Sequence, residues 1–246
     1  MAKRRLMVVA NWKMNGDLAL ATTMAETLAD VQTPHEILIC PPVVFLHSFP
    51  KSSVFQLGAQ NVSSEKAGPF TGEISADMLR AAGAKYVILG HSERRCLFGE
   101  TDEIVLKKAN AAIACGLTPI LCFGETLEER QQQKTEQVLA KHLDAVYSAQ
   151  PDLLDKTVIG YEPYWAIGTG LTATPEQAQD VHAFIRQHIA KINSEAAEHI
   201  RIIYGGSVNA ENCSALFSQP DIDGGLVGGA SLKPTEFAAI CLTAKD

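Results

Sequence analysis

Thr157-Val158-Ile159-Gly160-Tyr161-Glu162-Pro163-Tyr164-Trp165-Ala166-Ile167-Gly168-Thr169-Gly170 joins a short apolar run to a polar end and then to a segment built like a lid. The run from Thr157 to Tyr161 reads as a buried strand. Glu162 sits where it ends. Pro163 stiffens the front of the lid segment, Trp165, Ala166 and Ile167 are apolar, and Gly168 and Gly170 free the back. A lone Glu is ordinarily a solvated surface carboxylate. Placed at a strand end beneath an apolar flap, with Trp165 and Ile167 expected to desolvate it, this one suits proton abstraction guarded from water.

Three other stretches repeat the strand-then-polar pattern. Met7-Val8-Val9-Ala10 is followed by Asn11-Trp12-Lys13, and Tyr86-Val87-Ile88-Leu89-Gly90 by His91-Ser92-Glu93-Arg94. Ile202-Ile203-Tyr204 is followed by Gly205-Gly206-Ser207. Parallel α/β folds collect their ligands at the C-terminal ends of such strands. Strands are expected to begin near Leu6, Ile37, Phe55, Tyr86, Thr118, Thr157, Ile200 and Gly225, with helical patterns between most of them. Thr126 and Glu129 form a capping box that opens one helix, whose apolar face continues through Val138, Leu139, Leu143 and Val146. Thr174, Pro175 and Gln177 open another, carried on by Val181, Ile185, Ile189 and Ile192. Asn15-Gly16 is a hairpin cue, but the helical stretch after it makes Asp17 a helix cap instead. Alternating strands and helices imply a parallel sheet. Eight units favour a closed barrel, although the pattern alone also allows an open sheet.

The bulk properties permit this. A chain of 246 residues can bury a large core, and no linker or composition shift divides it. A net charge of −7 argues against nucleic acid as a main partner. An anionic substrate would then need local positive potential, which Lys13 and helix N-termini can supply. Six scattered cysteines without a C-x-x-C read as reduced thiols in the cytoplasm. The basic start, Met1-Ala2-Lys3-Arg4-Arg5, looks like a signal-peptide n-region, but the apolar stretch behind it is too short to continue one. No run approaches the ~18 apolar residues of a membrane span.

Taken with Asn11-Trp12-Lys13-Met14-Asn15-Gly16, Gly58-Ala59-Gln60-Asn61, Phe70-Thr71-Gly72-Glu73, Gly90-His91-Ser92-Glu93-Arg94-Arg95, Leu121-Cys122-Phe123-Gly124-Glu125, Tyr204-Gly205-Gly206-Ser207 and Val227-Gly228-Gly229-Ala230-Ser231-Leu232, the lid segment completes an ordered set. Nearly end to end, the chain resembles the triosephosphate isomerase family. The resemblance implies a (β/α)8 TIM barrel, α/β in class, spanning residues 1–246 as a single domain. It implies interconversion of dihydroxyacetone phosphate and D-glyceraldehyde 3-phosphate through an enediolate, with no metal or organic cofactor.

The same resemblance assigns roles. Glu162 would be the base. His91, which opens a short helical turn whose N-terminus favours the neutral imidazole, would polarise the carbonyl and shuttle protons between the two oxygens. Lys13, with Asn11 beside it, would face the substrate phosphate and developing oxyanion, and Glu93 would pair with Lys13 before substrate binds. The phosphate would rest on the N–H groups of Gly168, Ser207, Gly228 and Gly229, two glycine pairs after late strands being suited to an anion grip. Residues 61–73 make a long βα connection against the usual ~2–6 residues. In the family this loop enters a neighbouring subunit, so a homodimer is implied, with Thr71 approaching the other subunit's Asn11 and Lys13. Tyr164, Leu171, Met14 and Pro69 depart from the family pattern, the first two where lid motion is set. A Schiff-base aldolase would need a reactive Lys where Glu162 stands, and a catalytically dead barrel would be expected to have lost Glu162, His91 or Lys13.

Overall fold

The computed structural model describes residues 4–167 and 171–244. Its strands are β1 (Met7–Asn11), β2 (Glu36–Cys40), β3 (Phe55–Ala59), β4 (Ala84–Leu89), β5 (Thr118–Phe123), β6 (Val158–Tyr161), β7 (Ile202–Tyr204) and β8 (Gly224–Val227). They close in chain order into a parallel barrel, with β1 paired to both β2 and β8. Each begins within two residues of the place expected from the sequence. The helices are α1 (Leu18–Ala29), α2 (Ala76–Ala81), α3 (Ser92–Phe98), α4 (Asp102–Ala114), α5 (Leu127–Gln131), α6 (Thr135–Leu143), α7 (Pro175–Ile192), α8 (Ser194–His199), α9 (Cys213–Phe217) and α10 (Pro234–Cys241). Between β2 and β3 there is only a 3-10 turn, Val43–Ser48.

The barrel follows from strands that are apolar on both faces. Side chains alternate along a strand. Met7, Val9, Leu38, Cys40, Ile88, Ile120, Cys122, Ile203 and Leu226 therefore meet in one cluster inside. Val8, Ala10, Ile37 and Ile39 join the larger cluster beneath the helices, where Ala21, Met24 and Leu28 of α1 lie. Sulfur fills part of the interior: a Cβ on Gly58 would fall 2.5 Å from the Cys40 sulfur.

Local signals explain most boundaries. Asp17 accepts from the Leu20 N–H at 2.7 Å and caps α1. Asn15-Gly16 makes no hairpin; Gly16 has φ +102°, and a Cβ there would strike the buried Trp12 ring at 2.7 Å. Both capping boxes are formed, at Thr126 and at Thr174.

One expected helix is two. The segment opened by Thr126 stops at Gln131 and restarts at Thr135. Gln133 takes φ +57°, its N–H donates to the Arg130 carbonyl at 2.9 Å, and the Lys134 N–H donates to the Glu129 carbonyl at 2.8 Å. This is a Schellman stop with Gln at the left-handed position that Gly usually takes. Val146 is buried on a π-turn, Asp144–Ser148, rather than on α6.

Candidate active site

Glu162, Asn11, His91 and Lys13 leave the C-terminal ends of β6, β1, β4 and β1, and the closed barrel brings them together. The Glu162 N–H donates to the Phe123 carbonyl at 2.8 Å, continuing the ladder past β6. Its side chain is fully buried. One carboxylate oxygen, Oε2, accepts from the Ser92 N–H at 2.7 Å. The other, Oε1, lies 3.0 Å from His91 Nε2, close but not aligned as a hydrogen bond.

His91 caps α3, and its Nδ1 accepts from the Glu93 N–H at 3.2 Å. An accepting Nδ1 carries no proton, so the neutral ring holds its proton on Nε2, the nitrogen facing Glu162. Lys13 has φ +52°, a conformation unusual outside glycine. Its N–H donates to Asn11 Oδ1 at 3.1 Å, and its Nζ lies 2.6 Å from Glu93 Oε1.

A cavity of about 440 Å³ is lined by Asn11, Lys13, His91, Ser207, Gly228 and Gly229, with Ala166 and Ile167 of the lid segment on its wall. Gly229 opens a 3-10 turn, Gly229–Leu232, whose first N–H groups have no acceptor within the turn. A Cβ on Gly228 would lie 3.7 Å from Lys13 Cε, so cation and glycine turn share one end of the cavity.

The first glycine pair is built differently. The Gly205 N–H is spent on the Tyr161 carbonyl at 2.7 Å. A Cβ on Gly205 would fall 2.8 Å from Glu162 Cγ, and one on Gly206 would fall 2.1 Å from the Tyr204 hydroxyl. Gly205 makes room for Glu162 and Gly206 for Tyr204. This corrects the expectation of a bare N–H at Gly205, which is already used. Gly205 and Gly206 line the cavity together with Ser207, the next residue.

The model of the triosephosphate isomerase family matches residues 6–244. A protein of Nitrosococcus oceani named triosephosphate isomerase is 50% identical, over 98% of this chain and 99% of its own length. Proteins of that name from Shewanella oneidensis and Shewanella denitrificans are each 47% identical, over 99% of both chains. The chain belongs to the triosephosphate isomerase family.

Among the residues that the resemblance to triosephosphate isomerases singles out, Gly168 lies outside the described residues. Thr71 stands apart from this cavity, exposed on the loop of residues 61–73. The barrel adds two residues that were not expected. Ser92 holds Glu162 through its backbone N–H. Glu125, fully buried, accepts on Oε1 from the Trp165 indole at 3.0 Å, the Tyr161 hydroxyl at 3.1 Å and Arg130 at 3.2 Å. Burial raises the Glu125 carboxyl above the usual carboxylate range, although these donors oppose it. The Trp165 ring also lies under Arg130, 4.6 Å from the guanidinium carbon. The groups shown packed on the Glu162 carboxylate include Ser92, His91, Cys122 and Gly205, while the Trp165 indole is fastened to Glu125. The available signal for Glu125 was its place at the end of β5, like that of Glu162 at the end of β6.

Proposed function

We propose that the chain isomerises a triose phosphate, interconverting dihydroxyacetone phosphate and D-glyceraldehyde 3-phosphate, a step of glycolysis and gluconeogenesis. The observation that carries the residue roles is one cavity lined by His91, with the buried Glu162 carboxylate 3.0 Å from its imidazole, and by the Lys13 cation against a glycine turn.

Glu162 takes a proton from the carbon beside the carbonyl. The electron pair moves into the carbon–carbon bond and the carbonyl oxygen becomes an enediolate oxygen. His91 Nε2–H and Lys13 face that oxygen, and donors preorganised where charge develops are worth most in such a site. His91 carries the proton between the two oxygens, and Glu162 returns its proton to the neighbouring carbon. Atoms and electrons balance without a redox step, so acid–base groups and electrostatics suffice. The 3.0 Å between Glu162 and His91 leaves no room for a substrate carbon. The carboxylate must therefore rotate off the Ser92 N–H when substrate enters. Asn11 holds the Lys13 backbone, and Glu93 holds its ammonium until the phosphate replaces it. Ser207, Gly228, Gly229 and Gly168 receive the phosphate.

A coupled isomerase assay on the purified protein tests the activity. Glu162→Asp withdraws the carboxylate by about 1 Å, and misplacement on that scale can cost roughly 100-fold in kcat. Near-normal kcat in this variant would remove Glu162 as the base.

The working form in this reading is a homodimer in the cytoplasm. The loop of residues 61–73 is pinched shut by the Ser63 N–H on the Ile74 carbonyl at 2.8 Å. Phe70, at 42% exposure, stands near its tip. Beside Lys13 and Glu93 opens a second cavity of about 380 Å³, walled by Met14, Val43, Gln60 and Phe98. Met14 is 95% exposed and Phe98 68%. Apolar groups left in water around a cleft suit a partner's loop, with Thr71 carried to the neighbour's Lys13. Deleting residues 68–73 should give a monomer with greatly reduced kcat. A fully active monomer by sedimentation and assay would end the idea. No described helix is long and apolar enough to cross a membrane.

A further inference from the structure

Outside the cavity, one chain of hydrogen bonds runs from the surface to the backbone beside His91. It begins at His142, near the end of α6. His142 Nδ1 lies 2.9 and 2.8 Å from the two carboxylate oxygens of Asp102, the first residue of α4. A carboxylate only accepts, so this nitrogen carries the proton and donates. Asp102 also accepts from Arg95 Nη1 at 2.8 Å. Arg95 reaches two strand ends with its other nitrogens. Nε donates to the Gly90 carbonyl at 2.8 Å, and Nη2 to the Cys122 carbonyl at 3.2 Å.

Gly90 is the residue before His91, and its φ is +66°. A Cβ on it would fall 2.9 Å from Arg95 Nη2, so the guanidinium fills the space beside that bare backbone. The Phe123 ring lies alongside, 5.8 Å from the Arg95 guanidinium carbon and 6.2 Å from the His142 ring. Exposure falls inward, from 21% for the His142 side chain to 12% for Asp102 and 8% for Arg95. Burial alone would raise the Asp102 carboxyl, but the hydrogen bond from His142 and the charge of Arg95 hold it below the usual carboxylate range. Asp102 is therefore a fixed anion. An apolar side chain at 142 could pack on Phe123 equally well. Only a donor there restrains both oxygens of Asp102.

We propose that His142 is a positioning residue for the isomerase reaction, acting through Asp102 and Arg95 on the carbonyl that precedes His91. The inference rests on the function proposed above. Without His142 the Asp102 carboxylate can turn, Arg95 loses a fixed acceptor, and the Gly90 carbonyl is held less tightly. The His91 ring keeps its own bond to the Glu93 N–H, so the displacement is partial.

The test compares His142→Leu, which keeps bulk and removes the donor, with His142→Asn, whose amide N–H sits where Nδ1 does. The Leu variant should lose roughly 5- to 10-fold in kcat with KM within about two-fold, less than the ~100-fold of a full 1 Å misplacement. Asn should restore kcat to within about two-fold. Imidazole NMR signals of His91 in the unliganded proteins give a readout independent of turnover. They should shift in the Leu variant and return in the Asn variant. Should the Leu variant fail to fold, Asp102→Asn is expected to shift the same signals. A folded Leu variant that loses only thermal stability, with kcat and the His91 signals unchanged, would overturn the proposal. So would a folded Asn variant that rescues neither. An inactive wild-type protein would instead defeat the isomerase reading, and the His91 signals would still decide the positioning claim.

Discussion

The buried surroundings of Glu162 and the glycine end of the cavity are built on opposite plans. Around Glu162 every neighbour is in contact: the Ser92 N–H on one oxygen, His91 at 3.0 Å from the other, and Gly205 kept bare because a Cβ would fall 2.8 Å from Glu162 Cγ. Around Gly229 nothing lies within 4 Å of the place a Cβ would occupy. Glycine is used in the first region to let atoms touch and in the second to keep a space clear. In the proposed mechanism the crowded side serves the chemistry and the open side reception, so substitutions should divide between kcat and KM accordingly.

Lys13 lies between the two plans and should give the largest effect. Its Nζ faces Glu93, and its Cε runs beside Gly228. Lys13→Met keeps the length and removes the charge from both the phosphate and the developing oxyanion. We expect kcat/KM to fall by at least ~10²-fold while far-UV circular dichroism is unchanged. An active Lys13→Met protein would place the positive potential elsewhere. Gly205→Ala tests the crowded side next. The methyl must displace Glu162 or the barrel end, and a base moved by ~1 Å loses on the order of 10- to 100-fold in kcat. KM should change much less. A large rise in KM at normal kcat would show that Gly205 serves binding after all.

This contrast was only half legible in the sequence. The strands were readable because each is a short apolar run, and several helix starts because they carry a cap, as at Asp17, Thr126 and Thr174, while closure into a barrel was implied by the resemblance. Glu162, His91 and Lys13 were readable because each closely follows such a run. The roles of Gly205 and Gly228 were not separable, since two Gly-Gly pairs after late strands look alike. What divides them is the side chain opposite, and that comes from another strand. Ser92 acts through its backbone, which no side chain announces. The stop between α5 and α6 was hidden because Gln131-Gln132-Gln133 offers no Gly or Pro, and the left-handed turn falls on Gln133. His142 looked like one more polar residue of α6, because Asp102 and Arg95 reach it only through the fold.

The crowding extends behind the proposed catalytic face, and pH exposes it. His182 is fully buried, with its ring 5.7 Å from Tyr161 and 6.3 Å from Tyr204, the last residues of the strands that lead to Glu162 and Gly205. Its Nδ1 donates to the Asp221 carbonyl at 3.3 Å, and its Nε2 has no hydrogen-bond partner among the described residues. Burial lowers its pKa to about 4, despite the opposing charge of Asp223. The unfolded chain takes up this proton near pH ~6.5, and the folded one only near the lowered value. Stability from this group is thus present above pH ~6.5 and lost as pH falls towards 4, by roughly 2–4 kcal/mol in all. Urea midpoints should show that slope in the wild type and lose it in His182→Asn, whose amide can still donate to Asp221. The same slope in both proteins would assign the acid sensitivity to other groups.

The smallest effect is expected where the cavity is open. Gly229→Ala adds a methyl to a wall with free space around it, so the fold has no reason to object. Thermal midpoints of the two proteins should agree within about 1 °C, since surface changes away from packed features usually cost under ~0.5 kcal/mol. The methyl does stand beside the N–H groups that open the 3-10 turn, where the phosphate is proposed to bind. Crowding there weakens binding in ground state and transition state alike, which raises KM and leaves kcat alone. We expect KM to rise by roughly 3- to 10-fold with kcat within about two-fold. A fall in kcat of the size expected for Gly205→Ala would mean that this end of the cavity is also preorganised for chemistry, and the division between the two sides would fail.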